Sequence, residues 1–375
     1  MATWATSTKS VPLARRQLLA QPARLIVAVL AVGAAVALVL LLSGLRRGIG
    51  EQVTVYVDHQ PPIRVGQSGA RDFLSQTSVL PADVARRVAT LPGVADASPI
   101  SEGYAMLNLH GRRVLTLLIG YDLGRKGGPW QLAAGREPRG FGEIVLDRVT
   151  AEEHGLRVGS RIGYGGRELT VVGLSGGTSG FMTPLEFTTR ATANAFTERP
   201  DTATFVLVTP QRGVDEQQLA RRIDAATPGV TSLLGTTLAG RDRDLVVSAF
   251  SGPLLAMLIA AIVAVMVIAL TVYTSTRDRS REYATLKAVG LRRRGLVRLI
   301  AAEAGVLAVA GTALGGVLAV AVSRAVGEWA PKYLIAITPT DALAMGAAAL
   351  IFAVAAGCVP LRYLARLDPA EAFRG

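Results

Sequence analysis

The chain has 375 residues, with 40 Lys and Arg against 28 Asp and Glu, for a formal net charge of +12. That balance alone suggests a nucleic-acid partner, yet half of the residues are apolar, only 18% are charged, and the mean hydropathy is +0.38. Such a composition argues against an ordinary soluble domain. A single cysteine (Cys358) and three scattered histidines exclude an intrachain disulfide framework and a Cys/His zinc cluster.

Residues 1–24 hold Lys9, Arg15, Arg16 and Arg24 and no acid, and read as a cytoplasmic segment. Leu25–Leu42 is then unbroken in its apolarity, so a first membrane helix is expected over 25–44. The run is longer than a signal-peptide core and no small-x-small site follows it, which favours a retained anchor.

Residues 45–245 are long enough for a domain with its own core. Near its start, Pro81–Val94 reads as a short amphipathic helix, a Pro-Gly turn and a strand; Val214–Val230 repeats the pattern. Val84-Ala-Arg-Arg-Val matches Leu219-Ala-Arg-Arg-Ile, and each copy precedes Pro-Gly-Val. The expectation is two α+β halves, 45–135 and 200–245, that pair across one sheet. Between them, 136–199 is strand-rich: Glu143–Asp147, Arg161–Tyr164 and Glu168–Leu174 are separated by glycine turns, which suggests a small β-barrel or sandwich. His59, His110 and His154 lack clustered partners in sequence and read as surface or packing residues.

Three further charge-free runs, Leu245–Thr276, Ala304–Ser323 and Ala342–Leu361, follow, and they place membrane helices at 246–276, 299–323 and 342–361. They are separated by a loop at 277–298 and an outer loop at 324–341, and a tail closes the chain at 362–375. The segment before the first span, the 277–298 loop and the tail together carry 15 basic and 4 acidic residues, whereas 45–244 carries 23 and 21. By the positive-inside rule those three segments are cytoplasmic and both termini lie inside. The fold class expected is a polytopic α-helical membrane protein with four transmembrane helices and a large extracytoplasmic α+β domain.

Glu282–Val289 reads as a short helix with Tyr283, Leu286 and Val289 on one side and Gly290 as its stop. Such an element fits either lipid headgroups, the partner its arginines need at minimum, or a groove on another protein. In the third span, Gly311-x3-Gly315 with Gly305 and Gly316 nearby permits close helix approach, either between spans or at a dimer face. Glu303 stands at the cytosolic edge of that span, as a helix-start acid or a coupling residue.

Several segments together resemble the permease domain of the MacB/FtsX superfamily of ABC transporters. They are Arg281-Glu-Tyr-Ala-Thr-Leu-Lys-Ala-Val-Gly290, the lead Leu13-Ala-Arg-Arg-Gln-Leu-Leu-Ala, Gly142-Glu-Ile-Val-Leu-Asp, and the tail Pro360–Arg374. The size, without a fused domain, is most similar to DevC- and LolC/LolE-type subunits. The resemblance implies a MacB-like duplicated α+β porter unit with an inserted β subdomain, in a bacterial inner membrane. It also implies an ATPase-coupling helix made of Arg281, Glu282, Tyr283, Leu286, Lys287, Ala288, Val289 and Gly290. The implied partners are a cytoplasmic ABC ATPase, a second permease copy, membrane lipid and a periplasmic adaptor. No cofactor is expected in this chain, ATP and Mg being held by the partner: none of its four lysines stands in Gly-x4-Gly-Lys-Ser/Thr. The expected function is export, extraction or efflux of a lipid, lipoprotein, peptide or drug. The alternative is an FtsX-like, non-transporting regulator of a cell-wall hydrolase, against which the large outer domain counts. A nucleic-acid partner is not expected, since Tyr283 is the lone aromatic among the basic residues of the loop.

Overall fold

A computed structural model describes residues 22–73, 78–181, 183–249, 293–330 and 332–348, with isolated positions between 255 and 274 and at 351. The chain divides into two compact units, one drawn from 1–47, 251–329 and 335–375, the other from 48–250 and 330–334.

In the second unit, the two sequence repeats become two interlocked split βαβ motifs. The first is β1 (Ile63–Gln67), helix α2 (Asp83–Ala89) and β3 (Val94–Leu109); a two-residue β2 (Leu80–Pro81) precedes its helix. The second is β11 (Phe205–Pro210), α5 (Glu216–Ala226) and β12 (Val230–Leu234). The strands lie in the order β12-β1-β11-β3 with every neighbour antiparallel, so each motif's two strands are parallel and straddle a strand of the other. That is the ferredoxin-like arrangement. Local chemistry explains the repeat: Asp215 caps α5 by accepting the Gln218 N–H, and Leu219, Ala220 and Ile223 form its buried stripe. Val84, Ala85 and Val88 do the same on α2. Gly93 and Gly229 follow their prolines at φ +96° and +87°, values that a side chain disfavours. Both helices pack on one face of the sheet, against Ile63, Val65, Val206 and Val208. Phe205 and Leu207 point to the other face, where Tyr56, Phe73, Phe187 and Leu238 form a second core.

The strand-rich insertion does not close by itself. Strand β3 is 16 residues long and outruns the ferredoxin-like sheet, and β4 (Arg112–Tyr121) pairs along it from Ile100 to Leu109. Then β4 pairs with β9 (Leu185–Thr189), β9 with β6 (Glu143–Asp147), β6 with β8 (Arg167–Ser175), and β8 with β7 (Arg161–Tyr164). A single Asn108–Gly163 pair joins β7 back to β3 and completes a six-stranded ring. Short β5 (Leu132–Gly135) lies outside the ring on β8. The interior is filled by alternate residues, Ala105, Leu107 and Leu109 from β3 with Ile144, Leu146, Ile162, Leu169 and Val171. The barrel expected over 136–199 therefore forms only by borrowing β3 and β4. Its helices are α3 (Arg148–Glu153) and α4 (Arg190–Thr197), with a short β10 (Thr202–Ala203) leading back to β11. After β12 the chain enters α6 (Gly235–Ala249).

In the first unit the long described helices are α1 (Pro22–His59), whose C-terminal part belongs to the other unit, and α7 (Arg293–Trp329). Among the described residues both contain stretches long and apolar enough to cross a membrane, over Ile26–His59 and Gly305–Trp329. Each outruns the expected limits, α1 past residue 44 and α7 past 323. Val32, Val36, Val39 and Leu40 of α1 are buried, whereas Ile26, Val27 and Leu30 are exposed. At the seam between α1 and α7, a Cβ on Gly315 would lie 2.7 Å from the Gly33 oxygen and 2.8 Å from Val36 Cβ. Glycine is needed there for the backbones to approach. Beyond α7, Arg47 donates to both carboxylate oxygens of Asp341, at 2.5 and 2.8 Å, and to Thr338 Oγ1. Thr338 and Asp341 form a reciprocal capping box at the start of the helical residues 339–348, with Pro339 in its first turn.

The seam yields a paired prediction. Gly315→Leu should lower the stability of the purified chain by about 1–3 kcal/mol through overpacking, while Gly316→Leu, with nothing within 4 Å of its would-be Cβ, should leave it unchanged. Thermal unfolding in a mild detergent reads both; equal losses would refute the seam.

Candidate functional site

The described part of the second unit contains a pocket of ≈ 270 Å³ on the outside of the barrel. Its floor is the β6–α3 junction, where Asp147 ends the strand and caps the helix. Asp147 Oδ2 accepts the Thr150 N–H (3.0 Å) and hydroxyl (3.2 Å), Oδ1 accepts the Thr178 hydroxyl (2.9 Å), and the Ser179 hydroxyl reaches both oxygens at 3.0 Å. An N-cap aspartate normally receives one or two such bonds; here the carboxylate is saturated. Val114, Val149, Phe181, Pro184 and Tyr333 supply apolar walls, and Glu153, His154 and Lys332 the remaining polar ones. Lys332 Nζ stands 3.6 Å from Glu153 and 5.7 Å from the Tyr333 ring centroid. The Lys332 carbonyl accepts from Gln52 Nε2 at 2.7 Å. His154 Nδ1 lies 2.9 Å from the Thr150 carbonyl, which can only accept, so the ring hydrogen sits on Nδ1.

Beneath the pocket, Glu186 on β9 is fully buried, and its Oε2 accepts the Asp147 N–H at 2.8 Å. Its Oε1 has no hydrogen-bond partner among the described residues. Burial first, and then the neighbouring Asp147 charge, push the Glu186 carboxyl well above the usual carboxylate range. In the ferredoxin-like half, burial likewise raises Glu102 and lowers Arg64, and Arg64 Nη2 donates to the Val57 carbonyl at 2.9 Å. These are charges embedded in packing; no arrangement of nucleophile, base and oxyanion donor accompanies them among the described residues.

The residues singled out from sequence are placed unevenly. Arg281, Glu282, Tyr283, Leu286, Lys287, Ala288, Val289 and Gly290 lie outside the described residues. Glu303 and Gly305 belong to α7. Gly311 and Gly315 face α1 at Val32, Gly33 and Val36, whereas Gly316 faces open space. Of the histidines, His59 stacks on Trp130 at 4.2 Å and His110 binds the His154 carbonyl, as packing residues do; His154 reaches the pocket. Sequence reasoning missed Asp147, Glu186, Glu153 and Lys332. Asp147-x-x-Thr150 carries a local helix-cap signal, but nothing local links Lys332 to Glu153.

Comparison with known proteins covers almost the whole chain. Residues 25–226 match the model of the MacB-like periplasmic core domain, and residues 254–369 match that of the FtsX-like permease C-terminal region. An uncharacterized ABC transporter permease of Mycobacterium tuberculosis (strain ATCC 25618 / H37Rv) is 28% identical over 361 residues, covering 94% of this chain and 96% of that one. The pyoverdine export ATP-binding/permease protein PvdT of Pseudomonas syringae pv. tomato is 37% identical over 99 residues, 26% of this chain and 15% of that protein. Among solved structures, the periplasmic region of MacB from Actinobacillus actinomycetemcomitans is similar with a TM-score of 0.39 and 12% identity, over 52% of this chain and 94% of that one.

The buried acid yields a prediction with a definite sign. Unfolded glutamate ionises near pH ~4.3, whereas folded Glu186 keeps its proton to higher pH. Between those two values the unfolded state binds fewer protons than the folded one, so the stability present below pH ~4.3 is lost as pH rises through that window. Glu186→Gln mimics the protonated form and should melt close to the native chain near pH 4 and progressively above it toward pH 8. A constant difference across that range would show that Glu186 is ionised in the fold.

Proposed function

The chain belongs to the MacB/FtsX-like family of ABC transporter permeases, and on that premise we propose that it carries ATP-driven conformational change from a cytoplasmic ATPase to its outer domain. It is a membrane permease subunit with a MacB-like periplasmic α+β core domain and an FtsX-like region of apolar helices, and none of its four lysines stands in a phosphate-loop motif. An ABC transporter permease requires an ATPase partner, and here that partner is a separate polypeptide that holds ATP and Mg.

The observation that carries the reading is the distribution of charge. The three segments assigned to the cytoplasm hold 15 basic and 4 acidic residues, against 23 and 21 in 45–244. That asymmetry supports four spans with both termini inside, in a bacterial cytoplasmic membrane. It also supports assigning the ATPase groove's occupant to Arg281–Gly290, within the most basic of the three segments. Tyr283, Leu286 and Val289 supply the apolar face that enters the groove, and Gly290 ends the helix. Glu303 follows on the span that this helix leads into. A second permease copy completes the assembly, and a periplasmic adaptor extends it. The cargo is a lipid, lipoprotein, peptide or drug. The export function in the name of PvdT supports outward transport.

The test is copurification of the tagged chain with its ATPase from the native membrane. Leu286→Asp and Gly290→Leu should each reduce the recovered ATPase and its ATP turnover by about tenfold or more, as expected for loss of a buried interface anchor. Glu282→Ala should weaken both less. Unchanged recovery and turnover in all three variants would remove the coupling assignment.

A further inference from the structure

The pocket on the outer barrel presents one free-standing pair of opposite charges to whatever enters it. Asp147 has no oxygen to spare, because three side chains and a backbone N–H already occupy its carboxylate. That leaves Glu153 and Lys332, whose side chains are 37% and 52% exposed and meet at 3.6 Å. An ion pair so long and so wet contributes at most about 1 kcal/mol, so a ligand opens it at small cost. A ligand with a single charge would satisfy one side chain and strand the other beside it. A ligand carrying both charges replaces both partners at once.

We propose that this pocket binds a compact zwitterion, its ammonium on Glu153 and its carboxylate or phosphate on Lys332. The volume of ≈ 270 Å³ lies below the roughly 300–1,000 Å³ of drug-sized sites and limits the ligand to something like one amino acid or one headgroup. Phe181, Pro184 and Tyr333 form the apolar surface for its carbon skeleton. His154, with its hydrogen held on Nδ1 by the Thr150 carbonyl, keeps Nε2 as a second acceptor for the ammonium. Two of the lining residues, Lys332 and Tyr333, belong to the short connector between α7 and the helical residues 339–348. Occupancy therefore bears directly on that connector. The site is independent of the coupling assignment above: it stands or falls on Glu153 and Lys332 whether or not Arg281–Gly290 docks an ATPase.

Calorimetric titration of the full chain in a maltoside micelle tests the proposal, with L-phenylalanine, L-alanine and O-phosphoethanolamine as zwitterionic probes and acetate, phosphate and ethylamine as single-charge controls. At least one zwitterion should bind saturably, and Lys332→Met and Glu153→Gln should each weaken it by about tenfold or more. The exchanged pair Glu153→Lys with Lys332→Glu should recover binding, which loss of folding would not allow. Binding of an amino acid identifies a free solute as the source, and binding of O-phosphoethanolamine alone identifies a lipid headgroup. The proposal is overturned if no zwitterion binds, if the single-charge controls bind as tightly, or if the two variants titrate like the native chain.

Discussion

Strand β3 is the constraint on which the outer domain depends. Its first seven residues, Val94–Ile100, are hydrogen-bonded to β11 as the last strand of the ferredoxin-like sheet, and its remainder is a stave of the barrel. A strand cannot bend its register freely, because a slip of one residue exchanges its buried and exposed faces. With Ala105, Leu107 and Leu109 committed to the barrel interior and Ala97 to the helix-packed face of the sheet, both halves are locked to one ladder. The ferredoxin-like sheet and the barrel are for this reason joined by continuous strand pairing along β3.

The membrane unit achieves its packing by a different route. In a lipid environment apolar side chains gain nothing by preferring one another over acyl chains, so close backbone approach and polar anchors decide which helices associate. Gly33 and Gly315 supply the approach, and the bidentate Arg47–Asp341 pair with its Thr338 cap supplies the anchor. The apolar residues left exposed on α7, Val309 and Val317 among them, face away from this seam, as expected where lipid or another membrane helix is the neighbour.

What could be read from the sequence was what short-range chemistry determines. The repeated Ala-Arg-Arg stripe and its Pro-Gly stop identified α2 and α5 and pointed to two halves pairing across one sheet; their interlocking is seen only in the strand order. The strands of 136–199 were legible from their glycine turns, but their closure was not. It needs β3 and β4 from outside the insertion, and a one-residue contact between Asn108 and Gly163 that has no sequence signature. Helix α1 reaches His59 because Val53, Tyr56 and Val57 give it a buried face beyond the Arg46–Arg47 pair. The glycines of the seam were visible as a spacing, yet only the structure assigns Gly311 and Gly315 to contacts with α1. The pocket was invisible for a simple reason: Glu153 and Lys332 are neighbours in space and far apart in the chain.

The central claim is that the +12 charge reports orientation, with the basic segments inside and the MacB-like domain outside. Single cysteines placed at Arg212 and Arg292 in a Cys358→Ser background test it in spheroplasts with a membrane-impermeant maleimide. The account predicts that Arg212→Cys is labelled in intact spheroplasts and Arg292→Cys only after permeabilisation. Labelling of Arg292→Cys without permeabilisation, with Arg212→Cys protected, would contradict it.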